Sequence, residues 1–232
     1  MSRSYRSDIT CPACGTNGEI ILWESLNNVL NPDEAQQLID GSLFKYHCPH
    51  CGIETDVFYP CLYHDMKGHA MVQLVDESSI KQAIDMLDRL QSDVMFRKMT
   101  TEANYQHRLV TSQNSLREKA LIFRDGRDDR ALEILKLLVL KQLAQTEAEF
   151  EALANDAELF YLCQTPAGKL ELALFIVQKD GSWSKPQTVE VPQDLYAQAN
   201  QIVDRRSRRI ESTYIIDRNW ASQILLAIED DD

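Results

Sequence analysis

Two short motifs of the form Cys-Pro-x-Cys-Gly lie near the N-terminus, and their residue types and spacing suit metal chemistry. They are Cys11-Pro12-Ala13-Cys14-Gly15 and Cys48-Pro49-His50-Cys51-Gly52. Zn²⁺ prefers four ligands in a tetrahedron and binds soft thiolate sulfur well. The motifs therefore predict a zinc site with Cys11, Cys14, Cys48 and Cys51 as ligands. Iron in a rubredoxin-like site uses the same ligands and is the minor alternative.

A site of four thiolates is closed, because it leaves no open position for water or substrate. Its usual role is therefore structural, which argues against a zinc hydrolase centred on the motifs. His47 and His50 flank the second motif and are expected to be exposed, since four cysteines already complete the ligand set. The two remaining cysteines, Cys61 and Cys163, are expected to behave as small buried hydrophobic residues.

Composition and charge narrow the class of protein further. The chain has 232 residues, of which 44% are hydrophobic, so it can bury one large core or two modest ones. No apolar run approaches the roughly 20 residues of a membrane span, and residues 1–10 lack the apolar core of a signal peptide. We therefore expect a soluble cytoplasmic protein without membrane contacts. The net charge of −12 disfavours nucleic acid as a general partner.

Two polar stretches keep alternative functions open. His64, Asp65 and His69 fall within seven residues and suggest an enzyme with a second metal site or an acid–base pair, although no HExxH or phosphate-loop pattern supports this. The basic cluster Arg205-Arg206-Ser207-Arg208-Arg209 suggests a nucleic-acid or nucleotide contact. The simpler interpretation of the cluster is the last turn of a helix, where cations are favoured.

The segments around the motifs predict an α+β fold. Predicted strands cover residues 18–26, 43–47, 54–63 and 70–75, and the residues before the first motif are expected to be a flexible end. Between the motifs, Pro32 opens and Gly41 closes a short helix. Each motif thus adjoins a strand, which is a zinc-ribbon arrangement with an inserted helix.

A helical middle and a second α+β region follow. One helix starts near Ser78, residues 98–108 are expected to be a loop, and a helix over residues 128–143 is apolar on nearly every face. Later strands include residues 213–216, and Asp217 is expected to cap a last helix. The predicted domains are a zinc ribbon over 1–76, a helical segment over 77–150 and a small α+β domain over 151–232.

Several stretches besides the motifs resemble the bacterial CpXC domain family. They are Ser25-Leu26-Asn27, Asn31-Pro32, Gly41-Ser42-Leu43-Phe44, Tyr59-Pro60-Cys61-Leu62-Tyr63-His64-Asp65, Arg108-Leu109-Val110-Thr111-Ser112, Glu118-Lys119 and Asp128-Asp129-Arg130 through Glu133 and Lys136. The likeness covers about the first 140 residues. It implies a zinc-ribbon-like domain from a bacterial cytoplasm and supports the same four cysteines as ligands. It assigns no activity, and the C-terminal region lies outside it.

The sequence therefore predicts a non-enzymatic protein-interaction adaptor in which zinc is structural. The expected partner is another protein or a second copy of the chain, bound through the apolar helix or through exposed strand edges. Nucleic-acid or nucleotide binding through the ribbon and the arginine cluster is the first alternative. An enzyme with a site near the loop from His64 to His69 is the second.

Overall fold

The computed structural model describes residues 2–146, 156–177, 182–206 and 213–229. The fold is mixed α+β, as the sequence predicts. It divides into two compact units, Met1–Ala120 and Leu121–Asp232. The finer division at residues 76 and 150 stays a prediction. In the described part of the chain, no helix is long and apolar enough to cross a membrane.

The first unit is built on a five-stranded sheet and a two-stranded hairpin. Its strands are β1 (Arg3–Thr10), β2 (Asn17–Asn27), β3 (Lys45–His47), β4 (Glu54–Asp56), β5 (Cys61–Asp65), β6 (Ala70–Leu74) and β7 (Gln106–Val110). The large sheet has the order β1-β2-β5-β6-β7, in which β2/β5 and β6/β7 are parallel pairs. Strands β3 and β4 pair with each other, antiparallel.

Four helices accompany these strands, and the last of them continues past Ala120, where the first unit ends. They are α1 (Pro32–Asp40), α2 (Ile80–Ser92), α3 (Val94–Glu102) and α4 (Gln113–Arg124). The first lies between the two cysteine motifs, as predicted. It ends at Gly41, whose φ of +87° is left-handed and whose amide donates to the carbonyl of Gln37 at 3.0 Å. Pro32 stands at its start, but Asn31 makes no side-chain capping bond.

Three predictions for this unit are wrong. The residues before the first motif are not a flexible end, because β1 pairs along its length with β2. The expected loop over residues 98–108 instead contains the end of α3 and most of β7. The predicted strand over residues 54–63 is two strands, β4 and β5, separated by residues 57–60.

The second unit holds an antiparallel sheet and three helices. They are β8 (Ala157–Gln164), β9 (Leu170–Ile176), β10 (Gln187–Val191), α5 (Asp129–Thr146), α6 (Gln193–Arg206) and α7 (Arg218–Glu229), and the sheet order is β10-β9-β8. Helix α5 contacts α6, α7 and β8. It is therefore central to this unit, as its apolar character indicates.

The C-terminal predictions have mixed outcomes. Residues 213–216 form no strand, but Asp217 caps α7, because its Oδ1 accepts from the amide of Trp220 at 2.8 Å. The sequence also predicts a short helix and linker from Thr146 to Asp156 and a turn at Asp180-Gly181, but residues 147–155 and 178–181 lie outside the described residues.

Candidate metal centre

Each cysteine motif forms the tip of an antiparallel hairpin. The first motif connects β1 to β2, whose last pair is Thr10 with Asn17. The second connects β3 to β4, whose last pair is His47 with Glu54. Strand β1, which the sequence did not reveal, is thus the element that completes the first hairpin.

The two loops have the same backbone conformation. In each, the amide of the first cysteine, Cys11 or Cys48, donates to the carbonyl five residues later at 2.9 Å. In each, the glycine amide donates back to the carbonyl of that cysteine, also at 2.9 Å. Gly15 and Gly52 have φ values of +69° and +74°, a region that favours glycine. The glycine after each cysteine pair therefore allows the chain to turn back.

The four motif cysteines come together. The Sγ atoms of Cys11 and Cys51 lie 3.7 Å apart, and so do those of Cys14 and Cys48. All four sulfurs lie within 4.8 Å of one another. A Zn–S bond of about 2.3 Å gives a tetrahedral edge of about 3.8 Å, so this arrangement is compatible with a bound metal ion.

The electrostatics of the cluster also suit a cation. The Thr16 hydroxyl, 3.4 Å from the Cys14 sulfur, lowers the pKa of that thiol to about 5. The backbone amide of Cys51 lowers the pKa of Cys48. The amide of Ile53 also favours a Cys51 thiolate, but burial and the other sulfurs outweigh it and raise the pKa of Cys51 to about 12. Thiolates this close repel one another, and a divalent cation removes that repulsion.

A small buried cluster supports the cysteines. Cys11, Tyr46 and Cys48 form it, and the half-buried side chains of Ile9, Ile20 and Val57 pack against it. Burial raises the pKa of the Tyr46 hydroxyl, and the Cys48 sulfur raises it further. The side chains of Cys11 and Cys48 are therefore buried and packed by apolar neighbours, whereas those of Cys14 and Cys51 are exposed.

The neighbouring histidines and the other cysteines lie outside this group. His47 and His50 are exposed, and His47 Nε2 lies 3.4 Å from the Glu54 carboxylate. Cys61 is buried, which raises its pKa to about 12. The half-buried Cys163 sulfur lies 3.4 Å from a carboxylate oxygen of Glu171. Within the residues that the structure describes, the four motif cysteines are the only cluster of three or more potential ligands.

Both ring nitrogens of His64, near the end of β5, form hydrogen bonds. Its Nδ1 accepts from the side-chain Nδ2 of Asn27 at 3.1 Å, and its Nε2 then donates to the hydroxyl of Tyr105 at 2.8 Å. The ring of His69 stacks on that of Tyr105, with centroids 5.4 Å apart. Burial lowers the pKa of His64, which favours the neutral ring that these hydrogen bonds require.

Asp65 is 0% exposed and organises the turn between β5 and β6. Its Oδ1 accepts from Asn28 Nδ2 at 2.7 Å and from the amides of Lys67 and Gly68 at 3.0 and 2.8 Å. The structure thus brings His64, Asp65 and His69 to one end of the sheet, where their contacts hold strand ends together. The sequence did not place Asn27, Asn28 and Tyr105 at this loop, because they reach it only through strand pairing.

The basic cluster is only partly described. Arg205 is exposed in the last turn of α6. The side chain of Arg206 and all of Arg208 and Arg209 lie outside the described residues. The helix-end interpretation therefore holds for Arg205.

Comparison with known proteins agrees with the cysteine geometry. Neither the curated proteins nor the solved structures contain a significant match to this chain. A family model described as "CpXC protein" matches residues 9–136, which span both cysteine motifs and α1. Because that match covers more than half of the sequence, the chain belongs to the CpXC protein family.

Proposed function

We propose that Cys11, Cys14, Cys48 and Cys51 bind one structural Zn²⁺. The observation that carries this proposal is the sulfur geometry, since the cross-motif distances of 3.7 Å match a tetrahedral zinc–thiolate site. Four protein thiolates fill the shell and leave no position for a substrate. In this proposal the β1–β2 and β3–β4 hairpins form a zinc ribbon, with α1 inserted between them. The reducing bacterial cytoplasm would keep the thiolates available.

The same proposal makes the chain a protein-interaction adaptor without catalytic activity of its own. Its support is the exposure of four apolar side chains on α2 and α3, Met86, Leu90, Val94 and Met95, which are called the patch below. Met86 and Leu90 are one helical turn apart on α2, and Val94 and Met95 are each 70% exposed at the start of α3. Large exposed apolar side chains grouped in this way are typical of protein-binding surfaces.

Affinity capture from extract of the source bacterium tests the adaptor role. The wild type and the variants Leu90→Asp and Val94→Asp are used as bait at low and high salt. We expect a specific protein to be retained by the wild type at both salt concentrations and lost with both variants. Burial of apolar surface survives salt, whereas phosphate contacts weaken steeply as counterions compete.

Leu226→Asp is the matched control, because Leu226 is exposed and apolar but lies on α7 of the other unit. It should retain the partner. Recovery of only a second copy of the chain would assign the patch to self-association. Recovery of nucleic acid that high salt removes would favour the alternative function. A partner that survives both patch variants would overturn the assignment of this surface.

A further inference from the structure

The Tyr46 hydroxyl lacks a hydrogen-bond partner in the interior of the first unit. Tyr46 is 3% exposed, and among the described atoms none lies in hydrogen-bonding geometry with its Oη. Buried hydroxyl groups are normally satisfied, because an unmet donor keeps the full cost of leaving water. The Tyr46 hydroxyl therefore requires an acceptor that none of the described atoms provides in its present geometry.

The position of Tyr46 points to the cysteine cluster as the source of that acceptor. Tyr46 lies in β3, which ends one residue before Cys48. Tyr46 packs with Cys11 and Cys48 in one buried cluster. Four thiolates around a divalent cation keep a double negative charge, and hydroxyl donors near the sulfurs stabilise such a charge. The Thr16 hydroxyl lies 3.4 Å from the Cys14 sulfur, so a hydroxyl group already borders the cysteine cluster.

Gly18 in β2 leaves the space that the Tyr46 ring fills. A Cβ at this position would overlap the Tyr46 hydroxyl oxygen and would lie 3.1 Å from Cζ. Gly18 is not among the glycines with positive φ, so its backbone would accept other residues. The lack of a side chain is therefore explained by the close approach of Tyr46 from the other hairpin.

We propose that Tyr46 is a positioning residue of the metal centre, whose hydroxyl donates to the Cys48 thiolate when metal is bound, and that the lack of a side chain at Gly18 leaves the room that the ring needs. This inference rests on the proposed zinc site. It goes further by assigning one outer hydrogen bond to one side chain. It also explains how the β1–β2 hairpin, through Gly18, influences a sulfur on the β3–β4 hairpin.

The test is metal affinity of the full chain, measured for Zn²⁺ by chelator competition and for Co²⁺ by its thiolate charge-transfer absorption. Loss of an outer-shell partner typically weakens metal binding by 10- to 100-fold, so we expect Tyr46→Phe to bind Zn²⁺ about 10-fold more weakly. The cobalt band should also shift, because a thiolate that loses a hydrogen bond donates charge more readily. Tyr59→Phe is the control, since the Tyr59 hydroxyl donates to the Leu43 carbonyl at 3.2 Å, outside the metal cluster. It should leave both metal readouts unchanged.

Gly18→Ala provides an independent arm. It should weaken Zn²⁺ binding by displacing the ring, and adding Tyr46→Phe to it should weaken binding less than the two separate effects predict. Equal Zn²⁺ affinity and an unchanged cobalt band in Tyr46→Phe and wild type would overturn the role of Tyr46 while leaving the zinc site intact. A wild-type chain that binds neither ion would overturn the zinc site and this inference with it.

Discussion

The sulfurs of Cys11 and Cys51 lie 3.7 Å apart, although the two residues are 40 positions apart in the chain. Each comes from the tip of a different hairpin, so the contact closes a long segment that includes β2 and α1. Bringing such distant residues together costs chain entropy, and their mutual repulsion adds to the cost. A metal ion bound to both sulfurs would offset the loss of chain entropy and the repulsion between the sulfurs.

Replacing Cys48 by serine should remove the metal and strongly destabilise the first unit. Structural zinc sites have apparent binding free energies on the order of 10 kcal/mol, and this energy contributes to folding. We expect Cys48→Ser to lower the free energy of unfolding by more than about 3 kcal/mol, measured by urea denaturation beside elemental analysis. Cys163→Ser, in the second unit, should change it by about 1 kcal/mol or less. A wild-type protein that contains neither zinc nor iron would contradict the prediction.

Replacing Asp65 by alanine should destabilise the sheet without affecting the metal. The change removes the acceptor of three hydrogen bonds and leaves the partly buried donors around Oδ1 unpaired. Lost bonds to a charged acceptor predict a decrease of about 3 kcal/mol in the free energy of unfolding. Asp65→Asn keeps one oxygen in place and should cost much less. A stable Asp65→Ala variant would show that Asp65 does not have the structural role inferred from its contacts.

The features that the sequence predicts well are those with local signals. The cysteine loops have their ligands and turn glycines within five residues, and α1 has Pro32 at its start and Gly41 at its end. Helix α5 is identified by an apolar stretch that is too wide for a surface helix. In each case, the residues that determine the conformation are sequence neighbours.

Features that depend on contacts between residues far apart in the chain are not predicted by local sequence patterns. Strand β1 is mostly polar and exposed, and it is a strand because β2 pairs with it across the first motif. Strand β7 contains His107 and Arg108, which are buried although their types suggest a surface loop. Tyr105 meets His64 and His69 only after β6 and β7 have paired. Periodicity within a segment carries no information about such partners.

Replacing Gly41 by alanine should weaken the end of α1. A φ of +87° is unfavourable for any residue with a Cβ, and the added carbon would lie 3.2 Å from the guanidinium carbon of Arg117. Arg117 would then have to adjust its hydrogen bond to the Ile39 carbonyl. We expect the free energy of unfolding, measured by urea denaturation, to fall by about 1–2 kcal/mol. Gly126→Ala is the control, because its φ is also positive but the space around it is open, so it should cost less. Equal costs would rule out crowding by Arg117.

The stability of the first unit should decrease as the pH falls below the usual pKa of histidine. Burial lowers the pKa of His64, although the charge of Asp65 partly opposes this. Burial also lowers the pKa of His107, with a further contribution from Arg108. The unfolded chain therefore binds protons first, so stability is complete above about pH 6.5 and is lost as pH falls towards the folded-state pKa values. Each histidine contributes a slope of at most about 1.4 kcal/mol per pH unit.

The variant His64→Gln isolates the contribution of His64. Its amide can accept from Asn27 and donate to Tyr105, as the neutral ring does, but it does not titrate. Urea midpoints measured between about pH 5 and pH 8 should fall less steeply for the variant than for the wild type. Both proteins carry the same cysteine cluster, so acid release of metal affects both curves and cancels in the comparison. Parallel curves would show that His64 has the same pKa in the folded and unfolded states, and the remaining slope would then belong to His107 and the thiolates.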